Sequence, residues 1–304
     1  MFDAVLLIAF GGPTESHEIR PFLANVTRGR RIAAERLEEV AHHYEHMPGG
    51  RSPLNALTLA QARALAAALA RQGAPIDVLA GMRNWHPYLH EVLGEMAARG
   101  VRRCLGIIMS PLRSEASWDR YQQDVAGALA RTGGVPDVVF ASPWSTRPGF
   151  VAAVADRAAA ALRGLPAERR RSTPLILTAH SIPVAMAEAS PYVDDFTLVC
   201  RSVAADLDHP RWSLAYQSRS GRPEDPWLEP DVNTVVKSLA AEGERDAVVV
   251  PIGFVCDHVE VLYDLDVEAA ETARAHGMTL HRAATVGDHP AFIGALADVV
   301  LKTP

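Results

Sequence analysis

"LLIAFGGP" (residues 6–13) and "ILTAHSIP" (176–183) are the two stretches on which the reading of this chain turns. Each is a short, largely apolar run that breaks into a turn ending in proline. Set side by side, Ala9 meets Ala179, Phe10 meets His180 and Pro13 meets Pro183. Apolar runs of this kind fit strands covered on both faces, the situation of a parallel sheet. Their recurrence at the head of each half predicts two similar lobes facing across a cleft.

The rest of the chain extends that pattern. Strand-like runs at 4–10, 76–81, 104–110, 137–141, 174–179, 212–216 and 246–255 alternate with helical patterns. The helical patterns lie at 57–72, 87–99, 115–131, 149–163, 193–207 and 229–242. Such alternation predicts an α/β fold, each lobe a parallel sheet flanked by helices. The turn-rich "SPWSTRPGF" (142–150) marks the boundary, giving lobes at 1–148 and 149–304. The C-terminal helix is expected to pack back on the N-terminal lobe.

Composition narrows the function. At 304 residues, 48% hydrophobic and 22% charged, the chain can bury two cores. A formal charge of −6 argues against nucleic acid, whose phosphates need a basic face. Cys104, Cys200 and Cys256 lie far apart, which suits a reducing cytoplasm and offers neither a disulfide framework nor a four-thiolate cluster. "MFDAVLLIAFGG" has no basic flank and reads as a first strand, not a signal peptide. The alanine-rich 152–163 is broken by Asp156, Arg157 and Arg163, so it reads as an amphipathic helix, and no integral membrane segment is expected. A cytoplasmic monomer is the expectation.

Loops after parallel strands are where ligands bind. "AFGGPTE" is one, a glycine-rich turn that matches neither the Walker nor the Rossmann spacing. "LTAHSIP" is another, placing His180 at a strand end, where neutral imidazole can take a proton or bind a metal. Neighbouring Ser181 points to the opposite face of the strand, which disfavours a Ser–His hydrolase. The third is "DHVEVLYDLDVEAAE" (257–271), where Glu260, Asp264 and Glu268 recur every four residues on a helical pattern, with Asp266 between. Stacked carboxylates repel one another by a few tenths of a kcal/mol per pair. A charge run is by default a solvated face. This one directly follows the apolar run "AVVVPIGFV", and His258 stands two residues before Glu260. A row of acids there can pass a divalent cation inward, shedding its water stepwise.

Together these blocks resemble a known family. "LLIAFGGP", "GGRSPLN" (49–55), "TAHSIP" (178–183), "AYQSRSGRPEDPWLEPD" (215–231) and "VVVPIGFVCDHVEVLYDLDVE" (248–268) are similar, in order, to the signature blocks of ferrochelatases, which insert ferrous iron into a porphyrin. The resemblance runs from about residue 4 to residue 301. It implies two flavodoxin-like, chelatase-type lobes with the porphyrin cleft between them. It also implies His180 and Glu260 as the metal-contacting and proton-accepting pair, which of the two does which remaining open. Asp264 and Glu268 would continue the acidic ladder on a helix with a wide π-type turn. Phe10, Arg28, Ser52 and Tyr121 would bind the porphyrin, with Arg30, Arg31 and Arg51 as further donors near its propionates. The substrates implied are a porphyrin and Fe2+, with no tightly bound cofactor and no iron–sulfur cluster.

The length is similar to that of short bacterial enzymes that metallate coproporphyrin III. Two positions depart from the family. Phe10 stands where some coproporphyrin enzymes have an iron-ligating tyrosine, and Leu112 where a polar histidine or glutamine is frequent. Protoporphyrin IX as substrate, another divalent metal, and a non-catalytic porphyrin or haem carrier are the alternatives at this point. The donor count around residues 28–31 and 51–52 favours coproporphyrin III, a four-propionate ring.

Overall fold

In the computed structural model, residues 2–29, 32–220 and 224–304 are described. The strands are β1 (Ala4–Ala9), β2 (Asp77–Met82), β3 (Arg103–Ile108), β4 (Asp137–Phe140), β5 (Leu175–His180), β6 (Trp212–Gln217), β7 (Asp246–Val250) and β8 (Thr279–Arg282). They form two four-stranded sheets, ordered β2-β1-β3-β4 and β6-β5-β7-β8, with every pairing parallel. The quoted strands β1 and β5 are therefore equivalent inner strands of equivalent sheets. All six residues of β1 are buried, as are the first five of β5. Parallel sheets need crossover helices, and those helices cover both faces.

The helices are α1 (Ile19–Val26), α2 (Ala34–His46), α3 (Leu54–Arg71), α4 (Leu89–Ala98), α5 (Arg120–Arg131), α6 (Pro148–Arg163), α7 (Val184–Glu188), α8 (Tyr192–Asp206), α9 (Val232–Ala241), α10 (Val259–Leu262), α11 (Ala270–Ala275) and α12 (Pro290–Lys302). One compact unit comprises Met1–Met109, Ala116–Ser142 and Leu296–Pro304; the other comprises Ser110–Glu115 and Pro143–Ala295. In the first, Leu6 and Ile8 of β1 pack on Val92 and Met96 of α4 and Val125 of α5. In the second, Ile176 and Val249 pack on Val236 of α9 and on Val261, Leu265, Ala269 and Ala273.

That last series explains the acidic ladder's place. Val261, Leu265, Ala269 and Ala273 form the buried stripe of the helical segment, and Glu260, Asp264 and Glu268 lie one residue before each of the first three. The acids thus flank the buried face. Between α10 and α11 the residues Asp264–Ala269 are π-helical, the wide turn implied by the resemblance. The Tyr263 carbonyl accepts from both Val267 and Glu268 N–H, each at 3.0 Å, which is the local mark of the widened turn.

Two expectations need correction. The strand read over 246–255 stops at Val250 because Pro251 has no N–H to give to the ladder. Residues 251–258 form a loop instead, which carries Asp257 and His258, and the helical part of the acidic segment starts beyond it. That loop stays close to the sheet: Gly253 N–H donates to the Thr178 carbonyl at 3.0 Å, and a Cβ on Gly253 would lie 2.8 Å from Ala179 Cα. Only glycine allows that approach. The strand β8 was not expected, since "TLHR" is short and half polar; pairing with β7 makes it a strand.

Candidate active site

His180 ends β5, opposite Gln217 at the end of β6. Three hydrogen bonds fix this strand end. Tyr192 Oη donates to the His180 carbonyl at 2.8 Å, Ser181 N–H donates to the Gln217 carbonyl at 2.7 Å, and Ser181 Oγ donates to the Leu228 carbonyl at 2.8 Å. The Ser181 hydroxyl is thereby committed to backbone and faces away from the imidazole, so it is no nucleophile partner of His180. His180 Nδ1 bonds the Ser181 carbonyl. A carbonyl only accepts, so Nδ1 carries the proton and Nε2 is the exchangeable nitrogen.

Nε2 of His180 lies 3.6 Å from Glu260 Oε1, and Nε2 of His258 lies 3.4 Å from Glu260 Oε2. One carboxylate is shared by two imidazoles. Gln217 holds it in place by donating to the Glu260 carbonyl. His258 packs its ring 4.7 Å from that of Phe254, and its buried Nδ1 has no hydrogen-bond partner among the described residues. The site is half-open: the His180 side chain is 28% exposed and that of Glu260 38%. Among the described residues no three such side chains are arranged to hold a resident metal ion.

The charges of the pair support each other. Burial by itself would lower the His180 pKa; the Glu260 carboxylate outweighs it and raises the value above the ordinary one. Burial by itself would raise Glu260, but the His180 charge and hydrogen bonds from both imidazoles hold it well below the usual carboxylate range. One turn along, burial pushes Asp264 up to about 7, against a hydrogen bond donated by Ser218 and aided by the charges of Glu260 and Glu268. Ser218 reaches Asp264 from a left-handed backbone, φ 62°, unusual for a residue with a side chain. Glu268 is exposed at the outer end.

The other acids of the segment do something else. Asp257 and Asp266 are both bound by Arg282 of β8. So Glu260 is paired with His180, and Asp264, bonded by Ser218, feels the charges of both Glu260 and Glu268, while Asp257 and Asp266 are paired with Arg282.

In the first unit, three of the four residues expected to bind porphyrin gather at the corresponding sheet end. Phe10 directly follows β1, 36% exposed, with its ring edge-on to Phe22. Arg83, which no motif had pointed to, lies with its guanidinium 4.2 Å from the Tyr121 ring centre and 5.8 Å from that of Phe10. Its Nε donates to Asp124 at 2.5 Å. Ser52 N–H donates to the Pro13 carbonyl at 2.8 Å, and Ser52 Oγ lies 2.8 Å from where a Cβ on Gly12 would sit. The glycine-rich turn after β1 is thus packed on Ser52 by close backbone approach. Arg28 and Arg51 are exposed. Arg30 and Arg31 lie outside the described residues. Ser52 is 5% exposed and Leu112 1%. Tyr121, at 7%, is buried as well.

Comparison with known proteins gives the family and the fold. The sequence model of the family described as Ferrochelatase matches residues 2–303. A coproporphyrin III ferrochelatase of Streptomyces griseus subsp. griseus is 42% identical, over 99% of this chain and 85% of its own length. Its counterpart in Frankia alni is 44% identical over 98% of this chain and 79% of its own. That of Mycolicibacterium smegmatis is 41% identical, over 98% and 89% respectively. SirB from Bacillus subtilis with Fe3+ is similar in fold alone, with a TM-score of 0.58 at 12% identity, over 99% of this chain and 95% of that one. CbiX, described as the terminal enzyme of sirohaem biosynthesis in denitrifying bacteria, gives 0.55, also at 12% identity, and 99% of each chain. With the family's model matched over residues 2–303 and relatives above 40% identical along nearly the whole chain, this chain belongs to the ferrochelatase family.

Proposed function

We propose that this protein inserts ferrous iron into coproporphyrin III in haem biosynthesis. The observation that carries the chemistry is the line from His180 through Glu260 to Asp264, a proton-holding imidazole, an ionised carboxylate and a further acid in sequence. The choice of porphyrin rests on relatives 41–44% identical along 98–99% of the chain, which bear that name.

Insertion exchanges one Fe2+ for two pyrrole N–H protons, so the site must both supply a cation and remove protons. Glu268 and Asp264 attract the cation and pass it to Glu260. A cation on Glu260 withdraws the negative charge that favours protonated His180, so the imidazole gives its proton to water and becomes a base that takes the two pyrrole protons one after the other, passing each on to water. In this reading His180 and Glu260 act on the metal and the ring nitrogens, while the porphyrin-binding roles implied by the resemblance fall to Phe10, Arg28, Ser52 and Tyr121. Binding a bent ring more tightly than a flat one would expose the nitrogen lone pairs and speed the exchange. Iron is substrate, not resident cofactor. With three buried cysteines this chain does not supply the four thiolates of a typical iron–sulfur cluster. A cytoplasmic monomer is part of the same proposal. Among the described residues no helix is long and apolar enough to cross a membrane.

The test is anaerobic metallation of coproporphyrin III and protoporphyrin IX under one detergent condition, followed by visible absorption. A higher kcat/KM for coproporphyrin III is expected. A clear preference for protoporphyrin IX, or binding of either ring without metallation, would overturn the reading.

A further inference from the structure

Arg282 stands at the end of β8, on a strand that carries none of the signature blocks, yet it reaches the acidic segment at two points. Its Nε donates to Asp266 Oδ1 at 2.5 Å. Its terminal nitrogens donate to Asp257 Oδ1 and Oδ2 at 3.3 and 3.2 Å. Thr285 Oγ1 adds a bond to Asp257 Oδ1 at 2.9 Å. The Arg282 side chain is only 17% exposed and burial opposes its charge, but the two carboxylates outweigh that and raise its pKa.

The two contact points are placed so as to matter. Asp257 lies just before His258, the residue that starts α10 and touches Glu260. Asp266 lies inside the π-helical turn, two residues past Asp264. One planar fork therefore spans the stretch that carries Glu260 and Asp264, fixing its start against its middle. A π turn is rare and occurs mostly as a single-turn bulge within an α-helix. The row of like charges on this segment also favours relaxation away from the observed spacing.

We infer that Arg282 is a positioning residue for cation delivery: by bridging Asp257 and Asp266 it holds the wide turn that sets Asp264 and Glu268 in line behind Glu260. This rests on the reading of the acids as a cation path. An ion pair that served stability alone would affect porphyrin and metal alike when lost.

The measurement is made on Arg282→Met, Arg282→Lys, Asp266→Asn and the double variant Arg282→Met/Asp266→Asn, each first checked for folding by far-ultraviolet circular dichroism. In Arg282→Met the KM for Fe2+ is expected to rise about tenfold, the usual order for a residue that orients metal-contacting groups. Porphyrin affinity, by fluorescence quenching, should stay within about twofold, against that same scale. Lysine restores charge but cannot bridge two carboxylates, so Arg282→Lys should keep most of the KM defect. Asp266→Asn should raise KM alone but add nothing in the Arg282→Met background, because both remove one linkage. Calorimetric Co2+ binding without porphyrin should weaken in parallel; that readout stands even if the wild-type protein metallates neither porphyrin. A folded Arg282→Met with unchanged KM and Co2+ affinity, or with equal losses for metal and porphyrin, would overturn the inference. If Arg282→Met does not fold, Asp266→Asn decides it, an unchanged KM and Co2+ affinity counting against.

Discussion

Nε2 of His180 stands 3.6 Å from Oε1 of Glu260, the first closing a strand and the second opening a helix beyond a separate loop. Neither side chain keeps its ordinary proton affinity there: the imidazole holds its proton more tightly and the carboxyl far less. Each partner favours the charged form of the other, and a divalent cation would compete with the imidazolium for the same oxygens.

His180→Ala should therefore abolish metallation, by at least about a hundredfold, the usual scale for losing a proton-transfer group. The backbone bonds from Tyr192 and Ser181 that fix the strand end do not involve the imidazole, so fold and porphyrin affinity should persist. Anaerobic assay with Fe2+ checks the first point and fluorescence quenching the second; wild-type rates would remove His180 from the chemistry.

Asp264, pushed up to about 7 by burial, predicts two pH effects. In the unfolded chain the same carboxyl ionises near pH ~4. Between those values the native state holds the extra proton, so Asp264 lowers stability as pH rises from roughly 4 to 7. Asp264→Asn should gain a few degrees in Tm over wild type at pH 8 and nothing at pH 4. In activity, the protonated acid no longer attracts a cation, so wild-type KM for iron should rise as pH falls below about 7. That rise should vanish in Asp264→Asn and move to higher pH in Ser218→Ala, which loses the hydrogen bond that favours ionisation. Glu268→Gln should raise the metal KM with porphyrin affinity nearly unchanged.

Gly253→Ala should couple stability to chemistry. The added methyl would lie 2.8 Å from Ala179 Cα and 2.9 Å from its Cβ, so the loop 251–258 must move off the strand end. Overpacking of this kind costs about 1–3 kcal/mol. The displaced loop leads into His258 and Glu260, so kcat should fall along with Tm. A variant that loses several degrees at unchanged kcat would show that the loop does not set the His180–Glu260 spacing.

Much of this was legible from the chain alone. Inner strands of a parallel sheet must be apolar on both faces, so β1 and β5 announce themselves, and the shared turn after each betrays the duplicated sheet. Glycines and prolines mark the loops at the carboxyl ends, where ligands bind. His180 and the row Glu260, Asp264, Glu268 stand out because stacked like charges have a local cost that must be repaid by a ligand or a neighbour.

What the chain could not say is which neighbour. Tertiary pairing made a strand of "TLHR" and tertiary packing buried Leu112 and Ser52. It also divided acids that look alike in sequence into two groups. Asp257 and Asp266 were drawn to Arg282, while Glu260 was left to two imidazoles and Asp264 to a serine hydroxyl. Local pattern fixes where a carboxylate points relative to its own helix. Its charge and partner depend on what another strand brings within about 4 Å, where burial and Coulomb attraction compete, and only the folded chain decides that distance.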